Sequence, residues 1–196
     1  MLREEVILTP MDVQRLLQDD SPDSRTSVLE KISENYNDDQ FQAREREIAE
    51  QIFRLLMKDA ALRVREKLAE RVKENARVPR DIVLHLANDV DSVALPVLEK
   101  SKVLSDADLV SIVEKSHDMG KLIAISKREE VSSRVSDALV ETQYPQVVTS
   151  LLANAGASIS DRSYEKITVD FRDEPGIVDA VAKRDPLPRS LVEQLI

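Results

Sequence analysis

Pairs of adjacent apolar residues recur one helical turn apart along this chain, and the pattern predicts short helices with broad apolar faces. The arrangement occurs at residues 82–87, 93–98, 147–152, 177–182 and 191–196, and in looser form at 109–113 and 122–125. Positions i, i+1, i+4 and i+5 share one side of a helix, but they form a wider stripe than a single packing seam needs. Such a stripe is typical of helices that are covered on both flanks in a two-layer stack.

Proline and capping residues mark the predicted helix starts at nearly constant intervals. The first helix of each pair is predicted to begin at Pro79, Asp106, Ser133, Asp161 and Pro188, in steps of 27, 27, 28 and 27 residues. The second helix is predicted to begin at Ser92, Met119, Pro145 and Pro175, in steps of 27, 26 and 30 residues. Two interleaved series with one period indicate a helical-repeat solenoid. Pro96 lies inside one of these helices, and we expect it to bend that helix.

Four further helices are predicted before the periodic part. Thr9-Pro10 and Ser21-Pro22 each provide a capping hydroxyl followed by proline, and the second of these helices should end near Tyr36-Asn37. Asp38 or Asp39 is expected to cap a third helix that reaches about Lys58, and Asp59 to cap a fourth. In that fourth helix Leu62, Leu68, Ala69 and Val72 are expected to face inward. The predicted organisation is an N-terminal helical segment at 1–37 and repeats at 38–74, 79–100, 105–127, 132–154 and 160–184, with a final helix at 188–196, all in one continuous domain.

The composition favours an aliphatic, all-α protein. Aromatic residues make up 3% of the chain, there is no Trp, and there are 3 Gly, so the core must consist of Leu, Ile, Val and Ala. The formal charge of −9 argues against broad binding to a phosphate backbone, although a local basic face is compatible with it. The short apolar run from Val6 to Leu8 does not make a signal peptide or a membrane span. We therefore expect a cytoplasmic protein without membrane contact.

The residue types that carry catalysis or bind metals are scarce. Cys is absent, and His85 and His117 are the only histidines, whereas a zinc site needs three or four ligands. The acidic turns at 89–91 and 106–108 lack the spacing of a calcium loop and are interpreted as helix caps. Nucleophile and phosphate-loop motifs are missing. We therefore expect a protein that is not an enzyme and has no cofactor and no metal.

Two features at helix ends are interpreted as local stabilisation. Lys127 with Arg128, and Lys183 with Arg184, follow predicted second helices, where each cation should be stabilised by the free carbonyl groups of its own helix. Gly156 follows Asn154 and Ala155 in the way that a helix C-cap does.

Several runs of this sequence resemble one bacterial family. The runs are LANDVDSVALPVLEKSKVLSDADLVSIV, LIAISKREEVSSRVSDALVET, MDVQRLLQDDSPDSR and EREIAEQIFRLLMKDAALRVREKLAE. They resemble the HEAT-like repeat proteins catalogued as domain of unknown function 2336, over nearly the whole chain. The resemblance implies a right-handed α-solenoid of HEAT-like helix pairs with an N-terminal helical segment. No catalytic residue is implied by the resemblance. Members of the family usually continue past the position that corresponds to the end of this sequence.

The densest basic stretch runs from Arg63 to Arg80. Residues 63, 67, 70 and 74 alternate in sign at helical spacing, so most of this charge is predicted to form a solvated salt-bridge surface. A nucleic-acid-binding HEAT-like protein that uses this stretch is the alternative function, although nucleic acid is an unfavourable partner for so acidic a chain.

The leading prediction is a non-enzymatic protein-protein interaction or scaffold module. Stacked helix pairs form an extended concave surface, and such surfaces bind peptides or other proteins. From helix phase, the predicted partner-binding residues are Arg63, Lys67, Lys100, Lys121, Lys127, Arg128 and Asn154. The last helix carries an apolar face with no polar cap, formed by Leu191, Val192, Leu195 and Ile196. This face predicts either that the chain is a fragment of a longer protein or that it associates with itself there.

Overall fold

The computed structural model describes residues 10–19, 21–37 and 41–184, and within these ranges the regular structure is helical without strands. The helices are α1 Pro10–Gln18, α2 Pro22–Asn37, α3 Ala43–Leu56, α4 Leu62–Val72, α5 Arg80–Ala87, α6 Asp91–Lys100, α7 Asp106–Lys115, α8 Met119–Ser126, α9 Ser133–Glu141, α10 Pro145–Ala153, α11 Asp161–Asp170 and α12 Pro175–Ala182. The prediction of an all-α protein is confirmed. Among the helices described, none has the length and apolar character needed to cross a membrane.

Capping chemistry sets most helix starts where the sequence predicts them. The predicted starts at Asp106, Met119, Ser133, Pro145, Asp161 and Pro175 are confirmed. The N-cap hydroxyl groups of Ser132 and Ser160 accept hydrogen bonds from backbone N–H groups in the first turn of the following helix, and the Asp118 carboxylate does the same. Two predicted starts are wrong by one residue, because α5 begins at Arg80 and α6 at Asp91. The predicted helix at 188–196 lies outside the described residues.

The predictions for the third and fourth helices need correction. The third helix begins at Ala43, and the backbone N–H of its N-cap residue, Gln42, donates to Glu45 Oε2 at 3.0 Å. Asp38 and Asp39 lie outside the described residues. The Asp59 carboxylate accepts from the N–H of Ala61, at 2.8 Å, rather than from the first turn of α4. Leu62 is 42% exposed, so its predicted inward orientation is wrong; Val64, in the same helix, is buried.

The described residues form two compact units. Unit 1 extends to Val97 and includes Ser101–Val103. In it α2 packs on α3 and α4, α1 packs on α3, and α4 packs on α3 and α5. Tyr36 is buried in this unit with its ring edge-on to Phe53, at 5.1 Å between ring centroids, and the guanidinium of Arg46 lies 4.8 Å from the centre of the Tyr36 ring.

Unit 2 contains Leu98–Lys100 and the residues from Leu104 onward. Here α7 packs on α9 and α9 on α11, while α8 packs on α10 and α10 on α12. Each first helix therefore contacts the first helix of the next pair, and each second helix contacts the next second helix. Most of the buried side chains of unit 2 are aliphatic, among them Leu122, Ile125, Leu139, Val148 and Leu151, and a few, such as Ser126 and Ser136, are polar.

The loops between pairs also meet in unit 2. Val131 donates its N–H to the carbonyl oxygen of Gly156 at 3.1 Å, and its own carbonyl accepts from the N–H of Ser158 at 2.8 Å. A Cβ atom at position 156 would lie 2.0 Å from the carbonyl oxygen of Glu129. The predicted role of Gly156 as a helix C-cap is wrong, because Asn154 is the C-cap of α10. Glycine is required at 156 because two backbone segments approach each other closely there.

Candidate functional site: the groove over α10

Charge is distributed unevenly between the two sets of helices in unit 2. Lys121 and Asp179 are the only charged residues within α8, α10 and α12, whereas α7, α9 and α11 each contain three or more. This contrast occurs in a chain of which 33% is Asp, Glu, Lys or Arg. The exposed residues of α10 and α12 are thus mostly uncharged, with Gln146, Thr149 and Ala153 on α10, and Gly176, Val178 and Ala182 beside the single acid Asp179 on α12.

An open groove of about 790 Å³ follows the exposed side of α10. Its floor consists of Pro145, Gln146, Thr149, Ser150 and Ala153. Its remaining lining comes from Lys127 and Asn154, which follow α8 and α10, and from Glu174, which precedes α12. We call these eight residues the α10 groove.

The polar groups of the α10 groove differ in how far the fold already uses them. The Thr149 hydroxyl donates to the carbonyl oxygen of Pro145 at 2.8 Å, and Ser150 Oγ accepts from Ser126 Oγ at 2.7 Å. Gln146 is exposed, and its amide offers both a donor and an acceptor. Lys127 and Glu174 are also exposed, and within the described ranges neither takes part in an ion pair. The groove therefore combines a neutral floor with one cation and one anion.

Asn154 belongs to a set of side chains that close helix ends. Both hydrogens of its amide are used, because Nδ2 donates to the carbonyl oxygens of Ser126 and Arg128 at 2.8 and 2.7 Å. Arg128 Nη1 donates to the carbonyl oxygen of Leu98 at 2.6 Å. Arg184 donates to the carbonyl oxygens of Leu152, Asn154 and Ala157 at 2.9, 2.8 and 2.5 Å. In each case the acceptors lie at or just after the end of the preceding second helix.

This arrangement corrects the expectation that the cations at 128 and 184 serve their own helices. The carbonyl groups they bind belong to the preceding pair, 27 to 32 residues earlier in the chain. Burial lowers the pKa of the Arg128 guanidinium. The group nevertheless remains charged at neutral pH, because the ordinary pKa of arginine is far above neutrality.

The seven residues predicted to bind a partner are divided between the two units, and two of them line the α10 groove. Lys127 and Asn154 line the α10 groove. Arg128, beside them, is directed to the Leu98 carbonyl. Lys121 lies on α8 and is partly buried, and Lys100 lies at the end of α6, 3.2 Å from Glu99. Arg63 and Lys67 lie on α4, in unit 1.

The basic stretch in unit 1 is matched by carboxylates. Arg63 lies 2.8 Å from Asp23, and Glu30 lies 2.6 Å from Lys67 and 3.6 Å from Arg71. Both acids belong to α2, so these ion pairs join two helices, whereas Glu70 pairs with Lys73, at 2.5 Å, along the end of α4. The interpretation of this stretch as a salt-bridge surface is confirmed, with different partners.

A second open groove, also of about 790 Å³, lies in unit 1 and includes His85. Arg65 binds Asp89 through two hydrogen bonds of 2.6 and 3.1 Å and donates to the carbonyl oxygen of Asp59 at 2.8 Å. Hydrogen bonding to Arg65 lowers the pKa of the Asp89 carboxyl. The Asp59 carboxylate also pairs with Arg25 and the Asp81 carboxylate with Arg54, so all three acids of this groove are engaged. Across the described residues no group of three or more His, Asp or Glu is placed to hold a metal ion.

The fold and these surfaces define an all-α protein of successive helix pairs, with one charged and one nearly uncharged set of helices in unit 2. A family model described as "Uncharacterised protein conserved in bacteria (DUF2336)" matches residues 93–196, and the chain belongs to that family. The matched residues contain the whole α10 groove. The resemblance at residues 11–25 and 45–70 lies outside them. Neither a curated protein nor a solved structure matches the chain.

Six lining residues of the groove are absent from the predicted set: Pro145, Gln146, Thr149, Ser150, Ala153 and Glu174. The predicted set consists of cations and Asn154, whereas the groove contains a single cation, Lys127. The detectable signal was the run from Pro145 to Ala153, which contains no charged residue.

Proposed function

We propose that this protein is a non-enzymatic interaction module of the HEAT-like solenoid class, and that unit 2 binds a partner protein through the α10 groove and the exposed sides of α8 and α12. The solenoid assignment is supported by the regular spacing of the helix starts. It is also supported by the packing of each helix in unit 2 on the equivalent helix of the next pair.

The observation that carries the binding proposal is the absence of charge on α10 next to strongly charged first helices. Removing a charge from water on binding is costly unless it is paired, and the central parts of protein interfaces are accordingly depleted in charged residues. Solubility does not explain the lack of charge on α10, because charged surface residues favour solubility. The neutral floor of the groove is therefore suited to close contact with another chain.

The basic residues favour a protein partner over nucleic acid, because many of them are already paired with carboxylates. Binding to a phosphate backbone relies on clustered Lys and Arg that release counterions. In the stretch from Arg63 to Arg80, at least five of the seven basic residues already have a carboxylate partner: Arg63 with Asp23, Lys67 and Arg71 with Glu30, Arg65 with Asp89, and Lys73 with Glu70. The chain as a whole carries a formal charge of −9.

Site-specific photocrosslinking in the native bacterial cell tests the proposal. A photoreactive residue is placed at Thr149, on the floor of the α10 groove, and in a matched variant at Arg162, which is exposed on α11. We expect a discrete crosslinked partner from position 149 that is missing from position 162. The same products from both positions, or none from position 149, would contradict the proposal.

A further inference from the structure

Building on the proposed function, we propose that the α10 groove binds an extended peptide segment of bipolar charge. The segment would have small, uncharged residues at its centre, an acidic side chain facing Lys127 and a basic side chain facing Glu174. The two charged residues line the same groove, with the neutral face of α10 as its floor.

The floor favours an extended segment over a helical one. The exposed amide of Gln146 offers a donor and an acceptor, which is the complement of a peptide group. An extended segment has main-chain N–H and C=O groups in need of such partners, whereas a helix satisfies its own. Thr149, Ser150 and Ala153 are short, so they leave room for a chain to lie close to the helix surface.

The charges of the groove set the polarity of the segment. Lys127 would attract a carboxylate, and Glu174 would attract a cation. Because Glu174 lines the same groove and repels anions, a phosphate or a nucleic acid that entered it would meet a carboxylate as well as the lysine. A charged residue at the centre of the segment would be removed from water without an opposite charge on α10.

The test uses the full chain and a displayed library of random peptides. Selected peptides are synthesised with a fluorophore, and their affinities are measured by anisotropy at low and high salt. We expect selected sequences with an acid and a base that flank small neutral residues.

Lys127→Glu or Glu174→Lys should each weaken binding roughly three- to tenfold at low salt, since each change removes an ion pair and adds a repulsion. The matched controls are Lys183→Glu and Glu165→Lys, exposed charges outside the groove, which should leave the affinity unchanged.

A charge-swap cycle separates direct contact from a general effect. The double variant Lys127→Glu with Glu174→Lys should recover affinity for the peptide whose acid and base are exchanged, and lose it for the original. Selected peptides without a charge preference, or affinities that the charge reversals do not change, would overturn this inference. A dimer of the chain that Thr149→Arg abolishes would also overturn it, with a second copy as the occupant. In each of these cases selective crosslinking at Thr149 would still support the proposed function, and its loss would contradict that function separately.

Discussion

Arg184 donates a hydrogen bond of 2.9 Å from Nη1 to the carbonyl oxygen of Leu152, which lies in the last turn of α10. The last carbonyl groups of a helix have no partner within that helix and must find one elsewhere. Here the partner comes from the end of the next second helix, and the same guanidinium also binds the carbonyl oxygens of Asn154 and Ala157. Arg184 thus joins α12 to the end of α10.

We predict that Arg184→Met lowers the free energy of unfolding by about 2 to 3 kcal/mol, because three carbonyl groups lose a charged donor. Urea unfolding followed by circular dichroism measures the change. Lys183→Met, one residue away and exposed, should change it by less than about 0.5 kcal/mol. Equal effects of the two substitutions would show that the hydrogen bonds of Arg184 contribute nothing specific.

The two glycines at positions 156 and 176 should respond oppositely to alanine. Gly156→Ala places a methyl group against the carbonyl oxygen of Glu129, and the required backbone shift should cost about 1 to 3 kcal/mol or more. Gly176→Ala meets no atom within 4 Å and adds helix propensity, so it should stabilise the protein by up to about 1 kcal/mol. The measurement is the urea midpoint of each variant. A neutral Gly156→Ala would mean that the α8–α9 and α10–α11 loops do not approach as closely as described.

Two buried serines offer a comparison of satisfied and unsatisfied hydroxyl groups. Ser136 is fully buried on α9, and within the described part of the chain its hydroxyl has no hydrogen-bond partner. Ser136→Ala should therefore be neutral or stabilising, by up to about 1 kcal/mol. Ser126 Oγ donates to Ile123 O or Ser150 Oγ, so Ser126→Ala should destabilise by about 1 kcal/mol. Thermal melts of both variants give the order, and the reverse order would refute this explanation.

We predict that ionisation of the Tyr36 hydroxyl destabilises the folded protein in strongly basic solution. Burial, together with the negative charge of Glu50, raises the pKa of the Tyr36 hydroxyl to about 12 from its ordinary value of 10.0. Because the folded state holds this proton more tightly than the unfolded state, the contribution of Tyr36 is intact below pH 10 and is lost between pH 10 and about 12. Tyr36→Phe should remove this part of the pH dependence, seen in urea midpoints across that range. Parallel profiles for the two proteins would contradict the assignment, as would a Tyr36 phenol that titrates at pH 10 by absorbance.

Local chemistry explains which parts of the fold could be predicted from the sequence. Helix starts at Ser133, Pro145 and Asp161 follow from a cap or a proline beside the first turn, so the information lies within a few residues. The spacing does not decide between Leu62, seven residues before buried Ala69, and Val64, four residues before buried Leu68, because both intervals place residues on one side of a helix. The start of α3 was misplaced because Gln42 is a weaker capping signal than the preceding aspartates.

Roles that depend on another helix pair could not be predicted in this way. Helix phase predicts exposed, partner-facing side chains for Arg128 and Asn154, but their hydrogen bonds reach carbonyl groups 26 to 30 residues away. Gly156 shows the same limitation, since the atom that excludes a side chain there is the carbonyl oxygen of Glu129 on a different loop. Helix phase identifies which residues are near the surface, but it does not show which of them contact the adjacent repeat.

The hydrogen bonds of Arg128, Asn154 and Arg184 also determine how this chain could be shortened or extended. Each of these donor side chains lies about one repeat after the carbonyl groups to which it donates. A cut made between α10 and α11 would keep α10 complete yet strip its last turn of the donor from position 184. If one repeat were removed or duplicated, the hydrogen bonds between adjacent repeats would be kept only if the residue that donates them were removed or duplicated together with that repeat. The natural unit of exchange is therefore a helix pair together with the polar residue that follows the next second helix.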